Sequence, residues 1–404
     1  MLHDAQGLMV STESPDAIDA INQFAEQLLG YGKNVDVILQ GIAADPDSVL
    51  INAHAAALQL FAETATASDR ALPYLQRAQA NLTRATERER LYLKAIAAWA
   101  AGDLDQAIAS HTQLAEQAPR DLVSVQIGQY HHFYRGDSQG LLNLIETVMP
   151  ANRDNHYAYG MLAFALEQCH RLSEAEAAGR QAVAMNRRDP WAHHAVAHVM
   201  DTQGRTEEGI AWMESLAEVW EDCGSFRVHN WWHVALYYLD RRDFARVLDL
   251  YDQQIWGRAV KDYSPCQVDA IALLLRLDLR GVDVGDRWQK VGIYLSDRMD
   301  DHIMPLTDLH VLYGLVRSEQ NQLADAMLHS IKTYAETAKP FIQPTWLEVV
   351  LPAAHGLVAH ARGDRAAAIL YLDYALPRLQ QVGGSHAQRD LFQQIYMDVL
   401  RCSN

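Results

Sequence analysis

The 404-residue chain is poor in cysteine, in basic charge and in strand-like alternation, and each shortage closes off a class of protein. Its four cysteines, Cys169, Cys223, Cys266 and Cys402, stand 54, 43 and 136 residues apart, so there is no CxxC pair and no dense disulfide framework. They read as four separate thiols. Thirty-four Lys and Arg against 51 Asp and Glu leave a formal charge of −17, which repels phosphate backbones and anionic lipid surfaces. No local basic patch reverses it, so neither nucleic acid nor a membrane is an expected partner. The apolar run around Ile271 to Leu275 is far short of a bilayer span, and the first fourteen residues lack a basic region followed by a long apolar one. A cytoplasmic protein is expected. With 49% hydrophobic and 21% charged residues, the chain nonetheless has the composition of one that folds around a sizeable core.

What is present is a period. Short polar turns at Gly102-Asp103, Gly136-Asp137, His170-Arg171 and Gly204-Arg205 follow one another at intervals of 34 residues, and looser turns continue at Arg242-Asp243, Asn321-Gln322 and Gly363-Asp364. Five residues after each turn start lies a small or aliphatic residue (Ala107, Leu141, Ala175, Gly209, Val247, Ala326, Ala368), as close helix approach requires. Pro119, Pro150 and Pro190 mark joints between units. Stretches such as 88–101 and 154–168 are rich in Ala, Leu, Glu and Gln with apolar residues at helical spacing, so the chain reads as all-α. One helix pair cannot bury its own apolar face, so neighbours must stack into an α-solenoid of helical hairpins. The 34-residue period predicts the tetratricopeptide type, a right-handed superhelix, with tight curling left open. Residues 1–45 are read as a helical cap outside the register and residues 46–404 as the repeat domain, its later repeats divergent.

Histidine is distributed unevenly over this repeat. Twelve of the 18 His fall in the first helix of a predicted pair, the helix that lines the concave wall of such solenoids, whereas only His111 and His329 fall in second helices. In His194-Ala-Val-Ala-His198 and His229-Asn-Trp-Trp-His233, two imidazoles four residues apart share a helical face. The pairs are 35 residues apart, close to one repeat, so they are expected side by side at matching heights. Helices roughly 8–10 Å apart would let these rings converge on one ion or one small ligand. Packing histidines satisfied by backbone carbonyls are the competing reading. Neither pair is HExxH, and Asp201, three residues after His198, is a candidate to orient a ring.

Seven of nine Trp lie between Trp191 and Trp288. Trp191, Trp231 and Trp232 flank the His pairs and either fill the core or stack on a flat ligand. Asp269 enters a strongly apolar helix and needs a partner, for which Arg276, an inner-wall His and the helix N-terminus compete. Gly383-Gly-Ser-His-Ala-Gln-Arg-Asp390 opens the last helix; Ser385 is read as its N-cap or as part of an anion site, and a Ser385-His386-Asp390 triad on a single helical turn would be strained.

Together, Trp191-Ala-His-His-Ala-Val-Ala-His198, Phe226-Arg-Val-His-Asn-Trp-Trp-His-Val-Ala-Leu236, Asp249-Leu-Tyr-Asp252, Asp308-Leu-His310 and the Gly383–Asp390 segment resemble the tetratricopeptide repeat protein 38 family over roughly residues 40–400. The resemblance implies an α-solenoid and picks out His194, His198, His229, His233, Asp269, His310, His386, Gln388 and Arg389, but carries no activity. Where the family pattern has Trp before Arg276, this chain has Leu275. Two functions remain open. In one, the inner wall binds a small molecule and supports His-assisted or metal-assisted hydrolysis or elimination. Here His194, His198, His229, His233 and His386 act, a divalent metal is the cofactor to test, and Trp191, Trp231, Trp232, Asp269, His310, Gln388 and Arg389 line the ligand. In the other, the chain is a non-catalytic scaffold holding a peptide or protein in its groove. Homo-oligomerisation is compatible with either.

Overall fold

The computed structural model describes residues 1–401; the fourth cysteine, Cys402, lies outside them. Helices follow one another in antiparallel pairs: α1 (Pro15–Leu29) with α2 (Ile38–Ala44), α3 (Val49–Leu60) with α4 (Ala67–Ala80), α5 (Glu87–Ala100) with α6 (Leu104–Gln117), α7 (Leu122–Tyr134) with α8 (Ser138–Val148), and α9 (His156–Gln168) with α10 (Leu172–Met185). The order continues with α11 (Pro190–Thr202) and α12 (Thr206–Glu214), α13 (Phe226–Asp240) and α14 (Phe244–Leu250), α15 (Ser264–Asp278) and α16 (Arg287–Gly292), and α17 (Pro305–Arg317) and α18 (Asn321–Thr337). A single turn, α19 (Gln343–Thr345), leads through a π-helical stretch into α20 (Leu351–Ala361), which pairs with α21 (Arg365–Ala375); α22 (His386–Arg401) follows. First helices of successive hairpins lie against one another, α9 on α11, α11 on α13 and α13 on α15. This is the α-solenoid that the period predicts. No helix among the described residues is long and apolar enough to cross a membrane.

The hairpin turn explains the period. In each of the turns at Gly102, Gly136, His170, Gly204, Arg242 and Gly363 one residue takes a positive φ, between 57° and 80°, so that the chain can reverse after a helix end. Glycine takes four of the six at no steric cost, while His170 and Arg242 adopt the left-handed region despite their side chains. The turn expected at Asn321 is in fact centred on Glu319 (φ 64°), and the fully buried packing residue five positions on is Ala324, whereas Ala326 is exposed.

The N-terminal segment departs from the all-helical expectation. Leu2–His3 (β1) and Met9–Val10 (β2) form a short antiparallel ladder, turned by Gly7 (φ 77°) and by the Asp4 carboxylate, which accepts the Gln6 and Leu8 amides at 3.0 and 2.9 Å. Two residues per strand are too few to leave an alternating pattern. Next to the ladder, α1 joins the same apolar core as the repeats, Ile21 and Phe24 belonging to one buried cluster with Val49 and Leu50.

The superhelix is curled enough to touch itself. The Ser264 hydroxyl donates to the buried Glu63 carboxylate at 2.7 Å and the Ala65 amide to Asp301 at 2.8 Å, contacts 201 and 236 residues apart in sequence. Tyr130 and Tyr134 also donate to Glu63, at 2.9 and 3.3 Å. Gly224 donates to the Tyr31 carbonyl at 2.8 Å, carrying the α1–α2 loop onto the start of α13. The segment before α22 crosses the inner side: a Cβ on Gly383 would stand 2.8 Å from the Tyr134 carbonyl oxygen, and the Arg276 guanidinium donates to the Ala387 carbonyl. The two larger apolar clusters meet at α11, where Ala195 and Val199 belong to one and Val196, Ala197 and Met200 to the other, and a small third joins Ala359, Ala368 and Val399.

Candidate functional site

At that seam the polar face of α11 meets α13. The i, i+4 spacing stacks His194 over His198 and His229 over His233, and Asp189, which caps α11 by accepting the Ala192 amide at 3.0 Å, fixes the height of the first pair. The two pairs converge. One nitrogen from each ring lies within 4.8 Å of the others, with His198 Nε2 3.0 Å and His229 Nε2 3.1 Å from His194 Nε2. His194, His198 and His233 are buried, while the His229 side chain keeps 18% of its surface.

Burial, reinforced by neighbouring imidazoles, holds His194, His198 and His233 well below the usual histidine range, with the Arg276 charge adding to the effect on His233. These three rings are neutral at physiological pH. His229 has an outside partner: its Nδ1 donates to the buried Asp269 carboxylate, 3.0 and 3.1 Å from the two oxygens, which turns its Nε2 lone pair inward. Of the partners open to Asp269 in the sequence, an inner-wall histidine is the one used. His194 Nδ1 and both ring nitrogens of His233 have no hydrogen-bond partner at all.

Aromatic rings enclose the cluster. Trp191 stacks on His194 (centroids 4.7 Å, 30°), and Trp232 lies parallel to His229 (5.4 Å, 11°) with the Arg276 guanidinium 5.4 Å from its ring centroid. Phe164 and Tyr31, and Phe226 from the Phe226–Leu236 segment, complete the wall: Phe164 stacks on His194 at 5.4 Å, Phe226 meets His194 and His229, and Tyr31 stacks on Trp191 and Phe226. Phe164 is 34 residues before His198, so the repeat register held a signal for it. Phe226 sits one turn before His229; Tyr31 had no local signal. Tyr31, Trp191, Phe226 and His229 are half-buried and form the accessible edge of the cluster.

The remaining candidates lie elsewhere. Trp231 points away and packs edge-on against Trp220. His310 Nδ1 donates to the Leu306 carbonyl (2.7 Å) and the ring meets the edge of Phe392, outside the cluster. Ser385 and Gln388 form a reciprocal cap, with the Ser385 amide on Gln388 Oε1 at 2.9 Å and the Gln388 amide on Ser385 Oγ at 3.3 Å. The N-cap reading of Ser385 is the correct one. His386 Nε2 faces the Gln168 carbonyl at 3.1 Å and Arg389 donates to the Gly383 and Gly384 carbonyls, while Asp390 accepts from Gln394. No Ser385-His386-Asp390 relay forms. Asp201 lies among Arg276, Asp240 and Asp390, and burial with these acids raises its carboxyl to about 6. Nearby Glu167, fully buried and unremarked in the sequence, accepts from Gln168 at 2.5 Å and Thr202 at 3.4 Å, and burial raises it to about 7. Thr202 is one helical turn beyond His198.

No family model matches the chain. Among solved structures it is similar to human IFIT1, crystallised as a dimer with m7Gppp-AAAA, at 12% identity over 98% of this chain and 88% of that one, with a TM-score of 0.48. A Rap protein complexed with competence and sporulation factor matches at 12% identity over 80% of this chain and 99% of that one (TM-score 0.46), and the Cut9-Hcn1 hetero-tetramer of the APC/C at 11% over 92% and 68% (TM-score 0.44). These likenesses concern the helical-repeat fold alone.

A second titratable line, Asp308-His302-Ser330, has nucleophile-like distances: His302 Nδ1 lies 2.6 Å from Asp308 and Nε2 2.8 Å from Ser330 Oγ. The Ser330 proton, however, is given to Asp300 at 2.5 Å. His302 Nε2 must then donate to Ser330, leaving it no lone pair with which to act as base. This line is a polar tie between α17 and α18.

Proposed function

We propose that the chain is a tetratricopeptide-type protein of the tetratricopeptide repeat protein 38 kind whose working part is the four-histidine cluster, and that it takes a small ligand there rather than a peptide along its groove. The observation that supports this reading most is the convergence of His194, His198, His229 and His233 from two successive repeats on one point. Packing histidines would each find a separate carbonyl, as His310 does. The inner wall is also crossed by the chain's own segment at Gly383 and Ala387, which obstructs an extended peptide. A small, flat molecule reaches His229 across the faces of Trp191 and Phe226. There neutral imidazoles could accept or relay a proton, the chemistry that hydrolysis or elimination would need.

Trp191 and Trp232 provide the readout. Titration of chelator-treated and of zinc-supplemented protein with benzoate, benzylamine and indole, followed by tryptophan fluorescence and thermal shift, is expected to show saturable binding of at least one probe. That binding is lost in Phe226→Ala and His229→Ala. Silence of all three probes in both preparations, or binding unchanged in both variants, refutes the reading.

A further inference from the structure

We propose that the four-histidine cluster is a binding site for one first-row transition-metal ion, zinc, nickel or copper in class, with His194, His198, His229 and His233 as ligands and Asp269 as the carboxylate that orients one of them. This rests on the reading of the cluster as the working part, and it names what sits at its centre.

The space itself argues for an ion. With two Nε2···Nε2 separations of 3.0 and 3.1 Å and all four nitrogens within 4.8 Å, an organic molecule has no room between the rings. An ion bound to imidazole nitrogens at 2.0–2.1 Å holds tetrahedral neighbours roughly 3.4 Å apart. Two edges of the cluster lie just inside that figure, and the longest, up to 4.8 Å, would have to shorten by side-chain rotation when an ion binds.

Proton bookkeeping points the same way. A neutral imidazole has one N–H and one lone pair. His229 Nδ1 faces Asp269, so its Nε2 is the nitrogen presented to His194 Nε2, which also faces His198 Nε2. One hydrogen on His194 Nε2 serves one of those neighbours well, not both. His233 has no partner for either nitrogen, and His194 none for Nδ1, although both side chains are buried. A buried His233 ring with no partner, beside His194, His198 and His229 nitrogens that converge but cannot all be paired with one another, is what an ion would satisfy, since it accepts four lone pairs at once. The Asp269–His229 contact is the outer carboxylate that metal-bound imidazoles characteristically carry.

The charge balance tolerates a cation. Arg276, placed over Trp232, bears on His233, and it is itself flanked by Asp201, Asp240 and Asp390 as well as by Arg280. Four neutral nitrogen donors select borderline ions over calcium and magnesium, which prefer oxygen.

The test uses the full chain purified without a His tag, stripped with chelator and reloaded with zinc, nickel or cobalt(II), with bound metal counted by elemental analysis. About one equivalent is expected for the wild type and for His329→Ala, an exposed histidine. His194→Gln and His233→Gln, which keep much of the side-chain volume, are expected to weaken binding at least ~100-fold, and Asp269→Asn roughly 10- to 100-fold. Cobalt should give the strong visible absorption of a four-nitrogen tetrahedral site in the wild type and in His329→Ala but not in His194→Gln or His233→Gln, and circular dichroism checks that each variant is folded. Less than a tenth of an equivalent in folded wild type, or equal loading of the wild type and a folded His194→Gln/His233→Gln variant, overturns the metal assignment. If the organic probes still bind in either case, the ligand-binding reading survives without it.

Discussion

Glu167 offers a stability test that is independent of any ligand. Its carboxyl is fully buried at the end of α9 and rises from 4.5 to about 7, because burial penalises the charged form more than Gln168 and Thr202 compensate it. A group raised in the folded state contributes stability that is fully present below its unfolded pKa and disappears as pH climbs through the folded one. A shift of about 2.5 units at 1.36 kcal/mol each amounts to about 3 kcal/mol lost between pH 4.5 and pH 8. Glu167→Gln removes the titration but sets an amide against the Gln168 amide, at a cost of about 1 kcal/mol that does not depend on pH. Urea denaturation of both proteins at pH 4.5, 6, 7 and 8 measures the difference, in which contributions of groups distant from Glu167 cancel. The variant is expected to be slightly less stable at pH 4.5 and about 2 kcal/mol more stable at pH 8. A difference that is flat across this range, or one that grows in favour of the wild type, refutes the assignment of a buried, proton-holding Glu167.

Two further substitutions probe how the last helix is anchored. Gly383→Ala places a side chain on a residue with φ 81° and ψ −166°, a region essentially reserved for glycine, and within 2.8 Å of the Tyr134 carbonyl oxygen; it should cost at least about 1–3 kcal/mol in urea unfolding, and a loss below 0.5 kcal/mol would show that the inner crossing is not tight. Phe392→Ala empties a buried site whose ring meets His310, with an expected loss of about 3–5 kcal/mol by the same assay and, if α22 is held as described, faster proteolysis of the C-terminal segment. A loss under about 1 kcal/mol, with proteolysis unchanged, would argue against that packing.

The helical hairpins were legible because their signal is local and repeated: a turn residue and a small or aliphatic residue five positions on recur at 34-residue intervals, with proline joints between some of the units. The convergence of the four histidines was legible for the same reason, since i, i+4 spacing sets the face and a one-repeat offset sets the neighbour. What could not be read depends on contacts across hundreds of residues. Tyr31 meets Phe226 only because the curled chain brings the α1–α2 loop round to α13, and Glu63 meets Ser264 for a similar reason. Trp231 was drawn into the site by its position between His229 and His233, but a residue two places after His229 on a helix faces another way, towards Trp220. Gln388 and Arg389 looked functional because polar groups are concentrated at the helix start; the cap and the two glycine carbonyls absorb them.

The contact between Glu63 and Ser264 also bears on how the molecule is made. An open array of hairpins can fold unit by unit, each new one docking on the last. Here Tyr31 waits for Phe226 and Glu63 for Ser264, partners translated some 200 residues later, so these contacts are completed only when the second half of the polypeptide has emerged. The finished, self-contacting superhelix should then melt as one unit, where an open array would fray from its ends.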